Sequence, residues 1–274
     1  MSTSQPAATP AVRVTPGVHV RLAAIDPNNT APFEGKKQAE KRLEELREQL
    51  SNWQENLYAE HQRSVLLVFQ AIDTGGKDGA IRKLLTGLNP AGVEVTSFKA
   101  PSKEELDHDF LWRIHQHTPG KGHLGVFNRS HYEDVLVTRV HNLIGPDVWR
   151  PRYQDINNFE RLLMNDRTRV IKFFLHISKE EQAERLQARL DDPAKRWKFE
   201  ADDLKERKLW DSYQAAFEDA LNACSTPDAP WYVIPANKKW ARDLAIAEIV
   251  VAALAEMNPQ PPAANFDVAA QVIE

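Results

Sequence analysis

The run in this chain best suited to chemistry is Asp73-Thr74-Gly75-Gly76-Lys77-Asp78-Gly79. It follows the apolar, branched stretch Val65–Ile72 and precedes a segment of helical character, Asp78–Leu88. A buried strand, a glycine-rich turn and a helix start, in that order, aim backbone N–H groups and the positive end of a helix dipole at one point. Such a cradle suits a phosphate, and Lys77 adds a full charge. Thr74, Gly75, Gly76, Lys77, Asp78 and Gly79 are therefore candidate phosphate ligands, and Arg82 follows one turn later.

The frame from Ala71 to Asp78 departs from the P-loop pattern G-x-x-x-x-G-K-[ST] at two places. Ala71 stands for the first glycine, and Asp78 for the hydroxyl that usually meets a magnesium ion. Asp73 adds an acid inside the loop. A second polar cluster ends the run His123–Asn128, where P-loop enzymes usually carry a metal-holding acid. Here Asn128 takes that place, followed by Arg129, Ser130, His131, Glu133 and Asp134. An arginine at a strand tip can stabilise charge on a moving phosphoryl group. Glu133 and Asp134 either supply metal oxygens or favour the positive start of the next helix, which Ser130 would cap. A third cluster runs from Arg185 and Arg189, four apart on one helix face, through Asp192-Pro193 to Lys195-Arg196-Trp197-Lys198. It reads either as a basic lid closing over phosphates or as a solvated helix end. The nine histidines form no metal constellation, and His131 reads as structural.

The elements that must position these residues alternate. Strands are expected at Val65–Ile72, Val93–Phe98, His123–Asn128, Arg169–Ile177 and Trp231–Ile234. Helices are expected at about Lys36–Tyr58, Asp78–Leu88, Lys103–His117, His131–Ile144, Tyr153–Asn165, Ser178–Leu190, Ala201–Ala223 and Lys238–Met257. Strands separated by helices imply a parallel sheet covered on both faces, with ligands at the strands' C-terminal ends. On the first helix Ala39, Leu43, Leu46, Leu50, Trp53 and Leu57 form one apolar stripe, destined for the core or for a partner chain. Residues 1–35, rich in Pro, Ala and Thr, read as an extended arm. Residues 36–257 read as one domain, with a lid at about 178–209. Residues 258–274 read as a peripheral tail.

Composition sets the outer limits. The 274 residues are 42% hydrophobic and 27% charged, enough for a sizeable core. A net charge of −4 argues against general nucleic-acid coating, so any polyanion site must be a local basic cluster. Cys224 is the only cysteine, which excludes an intrachain disulfide and suits a reducing, cytoplasmic setting. No apolar run approaches the roughly 20 residues that span a bilayer. The first ten residues lack the apolar core of a signal peptide.

Four motifs in order resemble those of the type 2 polyphosphate kinases, P-loop phosphotransferases that move phosphate between inorganic polyphosphate and nucleotides. They are Phe69–Gly79, Pro101–Arg113, Phe127–Val135 and Asp192–Lys198, and the resemblance covers roughly residues 33–257. It implies a three-layer α/β P-loop kinase-like fold with a parallel sheet and an α-helical lid. By carry-over Asp73 and Lys77 match the family's P-loop residues, Arg129 matches the arginine of its second motif, and Arg196 falls in its lid. Many members carry Asp-Arg-Ser where this chain has Asn128-Arg129-Ser130, which leaves Asp73 as the expected metal ligand. The Asn-Arg-Ser-His-Tyr-Glu-Asp version looks like the subgroup acting on both AMP and ADP. The resemblance implies magnesium, polyphosphate, AMP, ADP and ATP as ligands, a homo-oligomer, and neither nucleic-acid nor membrane partners. Asn128, Arg129, Glu133 and Asp134 would face the nucleotide. Arg82, Lys83, Lys99, Lys103, Arg113 and Lys121 are candidates for a polyphosphate track. The rival readings are an ATP-dependent nucleoside monophosphate kinase and a non-catalytic phosphate or nucleotide sensor.

Overall fold

A computed structural model describes residues 8–271 and 273. Six strands form one sheet: β1 (Val12–Arg13), β2 (Ser64–Ala71), β3 (Val93–Ser97), β4 (Leu124–Asn128), β5 (Thr168–His176) and β6 (Trp231–Pro235). Their order is β1-β6-β5-β2-β4-β3, parallel throughout except for β1 on β6. Every residue of β2 is buried, as a central strand covered on both faces requires. The pairing of β2 with β4 brings Phe69 opposite Asn128, so the first two polar clusters emerge side by side. This is the mixed α/β, P-loop kinase-like architecture expected, and the five long strands lie within one residue of the expected limits. β1 was not expected as a strand. It pairs Val12 with Val233, and Val14 and Leu22 are buried behind it.

The helices are α1 (Lys36–Glu60), α2 (Lys77–Leu84), α3 (Lys103–Leu106), α4 (Trp112–His115), α5 (Val137–Val140), α6 (Pro146–Asn165), α7 (Lys179–Asp191), α8 (Asp202–Lys208), α9 (Trp210–Cys224) and α10 (Lys239–Met257). The apolar stripe of α1 packs on α10, inside this chain. α10 is buried almost all round, which its apolar sequence supports.

Five expected helices differ, the first being Asp78–Leu88, which ends early, at Leu84. Lys103–His117 splits into α3 and α4 because the Asp109 side chain accepts from the Leu111 N–H and turns the chain between them. His131–Ile144 becomes a 3-10 turn, His131–Asp134, followed by the single turn α5. There the Ser130 hydroxyl accepts from the Tyr132 N–H. α6 starts earlier than Tyr153, at Pro146, where the missing N–H costs nothing, and it carries Pro151 one turn in. Ala201–Ala223 breaks at Leu209 into α8 and α9. Among the described residues no helix is long and apolar enough to cross a membrane.

Candidate active site

The loop between β2 and α2 takes its shape from two positions. At Gly75 a Cβ would lie 2.5 Å from that of Ala71, so any side chain collides with the loop's own start. Gly76 has φ +96°, and a Cβ there would strike the Arg242 guanidinium. Behind the loop two arginines hold its carbonyl groups. Arg185 donates to Thr74 O at 3.1 Å, Gly75 O at 2.9 Å and Ala236 O at 2.6 Å, with Glu181 on its Nε at 2.7 Å. Arg242, 2% exposed, donates to Gly76 O at 3.2 Å while paired with Asp243 at 2.6 Å. Gln182 Nε2 donates to Asp73 O at 3.0 Å. Fixing the carbonyls on one side leaves loop N–H groups for the other, apart from that of Gly75, which donates to Ile72 O at 3.0 Å.

Lys77 folds back onto Ala71 O at 3.2 Å. Burial, with the nearby Arg129 charge, pushes its ammonium down to about 8, against the pull of Glu133, Asp73 and Asp78. The two departures from the P-loop pattern meet each other: Asn128 Nδ2 donates to Asp78 Oδ1 at 2.6 Å. Arg129 has φ +62° and reaches Glu133 at 3.5 Å with its side chain half-exposed. Asp73 Oδ2 is buried and has no hydrogen-bond partner among the described residues. Burial and the neighbouring Asp73 carboxylate push the Asp203 carboxyl of α8 up, against the N–H of Glu200.

Two cavities meet here and share Asp73, Asp78, Arg129, Arg189 and Lys198. One, about 500 Å³, is walled by Leu136, Val137, Tyr213 and Phe217 and edged by Glu133, His141 and Glu206. The other, about 870 Å³, is lined by the loop residues 73–79 and by bases that include Arg82, Lys83, Lys99, Lys195 and Lys239.

The structure thus gathers most of the residues singled out in the sequence, but not all. Asp134 turns away to Arg152 at 3.3 Å, and burial raises its carboxyl to about 6. It lines neither cavity. Arg185 is committed to the loop's carbonyls. Arg189 bonds Lys198 O at 3.0 Å and Asp203 at 3.3 Å. Lys195 pairs with Asp192 at 2.6 Å, and Arg196 is exposed, its Nε on Leu190 O at 2.8 Å. Arg113 is buried and bonds Lys99 O at 2.9 Å. Lys121 pairs with Asp166 at the strands' N-terminal ends, opposite the site. Lys103 lines neither cavity. Sequence reasoning missed Gln182, Asp203 and Arg242. The adjacent charges Arg242-Asp243 inside an otherwise apolar helix were the available signal for the last.

Among the described residues no three or more His, Cys, Asp or Glu side chains gather as a metal cage. That does not disfavour magnesium, which is commonly held by one or two carboxylates with substrate phosphates completing the shell. The unpartnered Asp73 Oδ2 fits such a partial site.

The profile of a family described as Polyphosphate kinase 2 matches residues 34–262. The chain is 53% identical over 257 residues to the AMP/ADP-polyphosphate phosphotransferase of Meiothermus ruber, covering 92% of this chain and 96% of that one. It is 44% identical over 249 residues to the ADP-polyphosphate phosphotransferase of Rhodopseudomonas palustris, covering 86% of each. The crystal structure of polyphosphate kinase 2 from Arthrobacter aurescens superposes with a TM-score of 0.92 at 42% identity, over 98% of this chain and 97% of that one. With its glycine loop, its strand-end arginine and its basic cavity thus matched along nearly the whole chain, the protein belongs to the polyphosphate kinase 2 family.

Proposed function

We propose that this enzyme transfers the terminal phosphoryl group of inorganic polyphosphate to AMP and to ADP, with magnesium as cofactor. The observation that carries this reading is the pair of unlike cavities meeting at Asp73 and Arg129. The smaller offers apolar and aromatic walls for a base and a volume suited to one nucleotide. The larger offers bases and backbone N–H groups, which suits a donor built only of phosphates. The names borne by the Meiothermus and Rhodopseudomonas relatives support the same pair of substrates.

In this reading Lys77 and the loop N–H groups hold the donor's terminal phosphates. Arg129 sits between the cavities, where it neutralises the oxygens of the group in transit. Phosphoryl transfer needs mainly positioning and charge stabilisation, so no general base is assigned. Asp73 would hold a magnesium ion, which would offset the charge of the phosphates. Arg189 near the end of α7, with Lys195, Arg196 and Lys198 on the segment between α7 and α8, would close over the donor and keep water out.

The purified protein with polyphosphate and AMP, then with ADP, tests this directly. ADP and ATP should form, only with a divalent metal present. Turnover of AMP with ATP but not with polyphosphate would establish the monophosphate kinase instead, and binding without turnover the sensor.

A further inference from the structure

Behind Arg129 lies a charged group of residues that the transfer reaction does not touch. Lys172, in the middle of β5, is fully buried and directs its Nζ at three acceptors. These are Glu160 of α6 at 2.5 Å, the Tyr132 hydroxyl at 3.0 Å and Cys224 O at 2.6 Å, the last at the C-terminal end of α9. An ammonium has three protons, so its capacity is filled. Glu160, also fully buried, accepts from Tyr132 Oη at 2.8 Å and from His131 Nε2 at 3.3 Å. Burial alone would push the Glu160 carboxyl up, but Lys172 and His131 more than offset it and hold it below the usual range. His131 is held below its own usual value by that burial, against the pull of Glu160. The rings of Tyr132 and Trp231 stand beside the ammonium at 5.5 and 5.4 Å.

A buried ion pair is poor evidence for stability, since apolar residues of similar volume often serve as well. What this one does have is an address. His131 and Tyr132 come two and three residues after Arg129, and Tyr132 is next to Glu133. Arg129 holds a left-handed backbone, φ +62°, which a non-glycine residue keeps only when its surroundings over-determine it. The Arg129 N–H is fixed to Phe69 O at 3.1 Å, and the Ser130 hydroxyl is held by Gln70 at 3.1 Å. Both contacts lie at the start of the turn. The downstream side is pinned at His131 and Tyr132 through Glu160 and Lys172, and beyond them at Asp134, whose backbone O accepts from Arg152 at 3.0 Å.

We infer that Glu160 and Lys172, acting through Tyr132 and His131, are positioning residues that hold the Arg129–Glu133 turn in its strained, transfer-competent conformation. The inference rests on the reading of Arg129 as the group that stabilises the phosphoryl group in transit. Lys172 also ties the turn to the C-terminal end of α9 through Cys224 O.

Tyr132→Phe removes one hydroxyl and keeps the ring, and is the first variant to measure with polyphosphate and ADP. The kcat should fall about tenfold or more, the scale of a small misplacement of a catalytic group. The KM for each substrate should stay as in the wild type. Glu160→Gln should act in the same direction. Should it not fold, Lys172→Met with Glu160→Leu replaces the pair by apolar groups of similar length and keeps the measurement available. The decisive arm repeats Tyr132→Phe in an Arg129→Ala background, where the loss in kcat should disappear because its target is gone. A folded Tyr132→Phe with wild-type kcat, a change in KM alone, or the same fold-loss in both backgrounds would each overturn the inference. Arg129→Ala by itself reads the role of Arg129, so failure of the underlying reading shows up separately.

Discussion

The glycine loop and the segment that overlies it use the same residue type in opposite ways. Around the loop the arginines are buried and fully occupied: Arg185 and Arg242 hold the carbonyls of Thr74, Gly75 and Gly76. Between α7 and α8 the bases are exposed and only loosely engaged. Arg196 has one backbone acceptor, Lys195 one surface partner, and Trp197 is 76% exposed. A buried arginine with all its partners shapes backbone but cannot follow a ligand. An exposed base can follow a ligand but holds little by itself. The difference separates residues that build the phosphate site from residues that respond to phosphate.

Substitutions should break this contrast in a definite order. The largest effect is expected where the loop meets substrate. Lys77→Ala and Asp73→Ala should each lower kcat by at least about 100-fold, the scale of a lost transition-state contact. Asp73→Asn should also raise the magnesium concentration needed for half-maximal rate, and a metal titration matching the wild type would remove Asp73 from the metal site.

Arg242→Ala comes next and tests the building role. It strands the buried Asp243 carboxylate and frees Gly76 O, so denaturant unfolding should show a loss of about 3 kcal/mol together with reduced turnover. Unchanged stability would place Arg242 among the responders. Arg196→Ala should do the reverse, lowering transfer severalfold with no shift in Tm. Salt should then inhibit the variant less than the wild type. Hydrogen exchange across residues 185–198 should slow when polyphosphate and nucleotide are added together, and equal exchange would make the segment a static helix end.

The smallest effect is a pH dependence. With its ammonium lowered to about 8 in the free protein, Lys77 loses charge as pH rises through that value. A bound polyanion favours the charged form, so binding takes up a proton above about pH 8 and the KM for polyphosphate should climb there. Lys77→Arg, charged throughout, should flatten the climb. The same shift means the buried charge disfavours the fold below about pH 8, a penalty that fades as pH rises toward the unfolded value of 10.5.

What could be read from the sequence follows from range. The strand, loop and helix of residues 65–84 are written in consecutive residues, and so are the strand tip at Asn128-Arg129 and the Ser178 cap of α7, whose hydroxyl accepts from Glu181 N–H at 3.1 Å. The braces are not. Arg242 reaches Gly76 across 166 residues, and Lys172 reaches Cys224 across 52. In the sequence Lys172 is one charge in the strand Val170-Ile171-Lys172-Phe173, with nothing nearby to announce Glu160. The short elements failed for a related reason. α3, α4, α5 and the turn at His131 are too brief for an apolar period to show. They are set by side-chain caps at Ser102, Asp109 and Ser130 that compete locally with a continuous helix.

Cys224, the only cysteine, is fully buried under α6, and burial pushes its thiol up to about 12. It is therefore chemically silent toward alkylating reagents at neutral pH. A cysteine introduced at an exposed position such as Trp197 would be the sole reactive thiol in an otherwise native chain. One fluorophore or spin label placed there would report the mobility and surroundings of the overlying segment in real time, with no need to strip the protein of its own cysteine first.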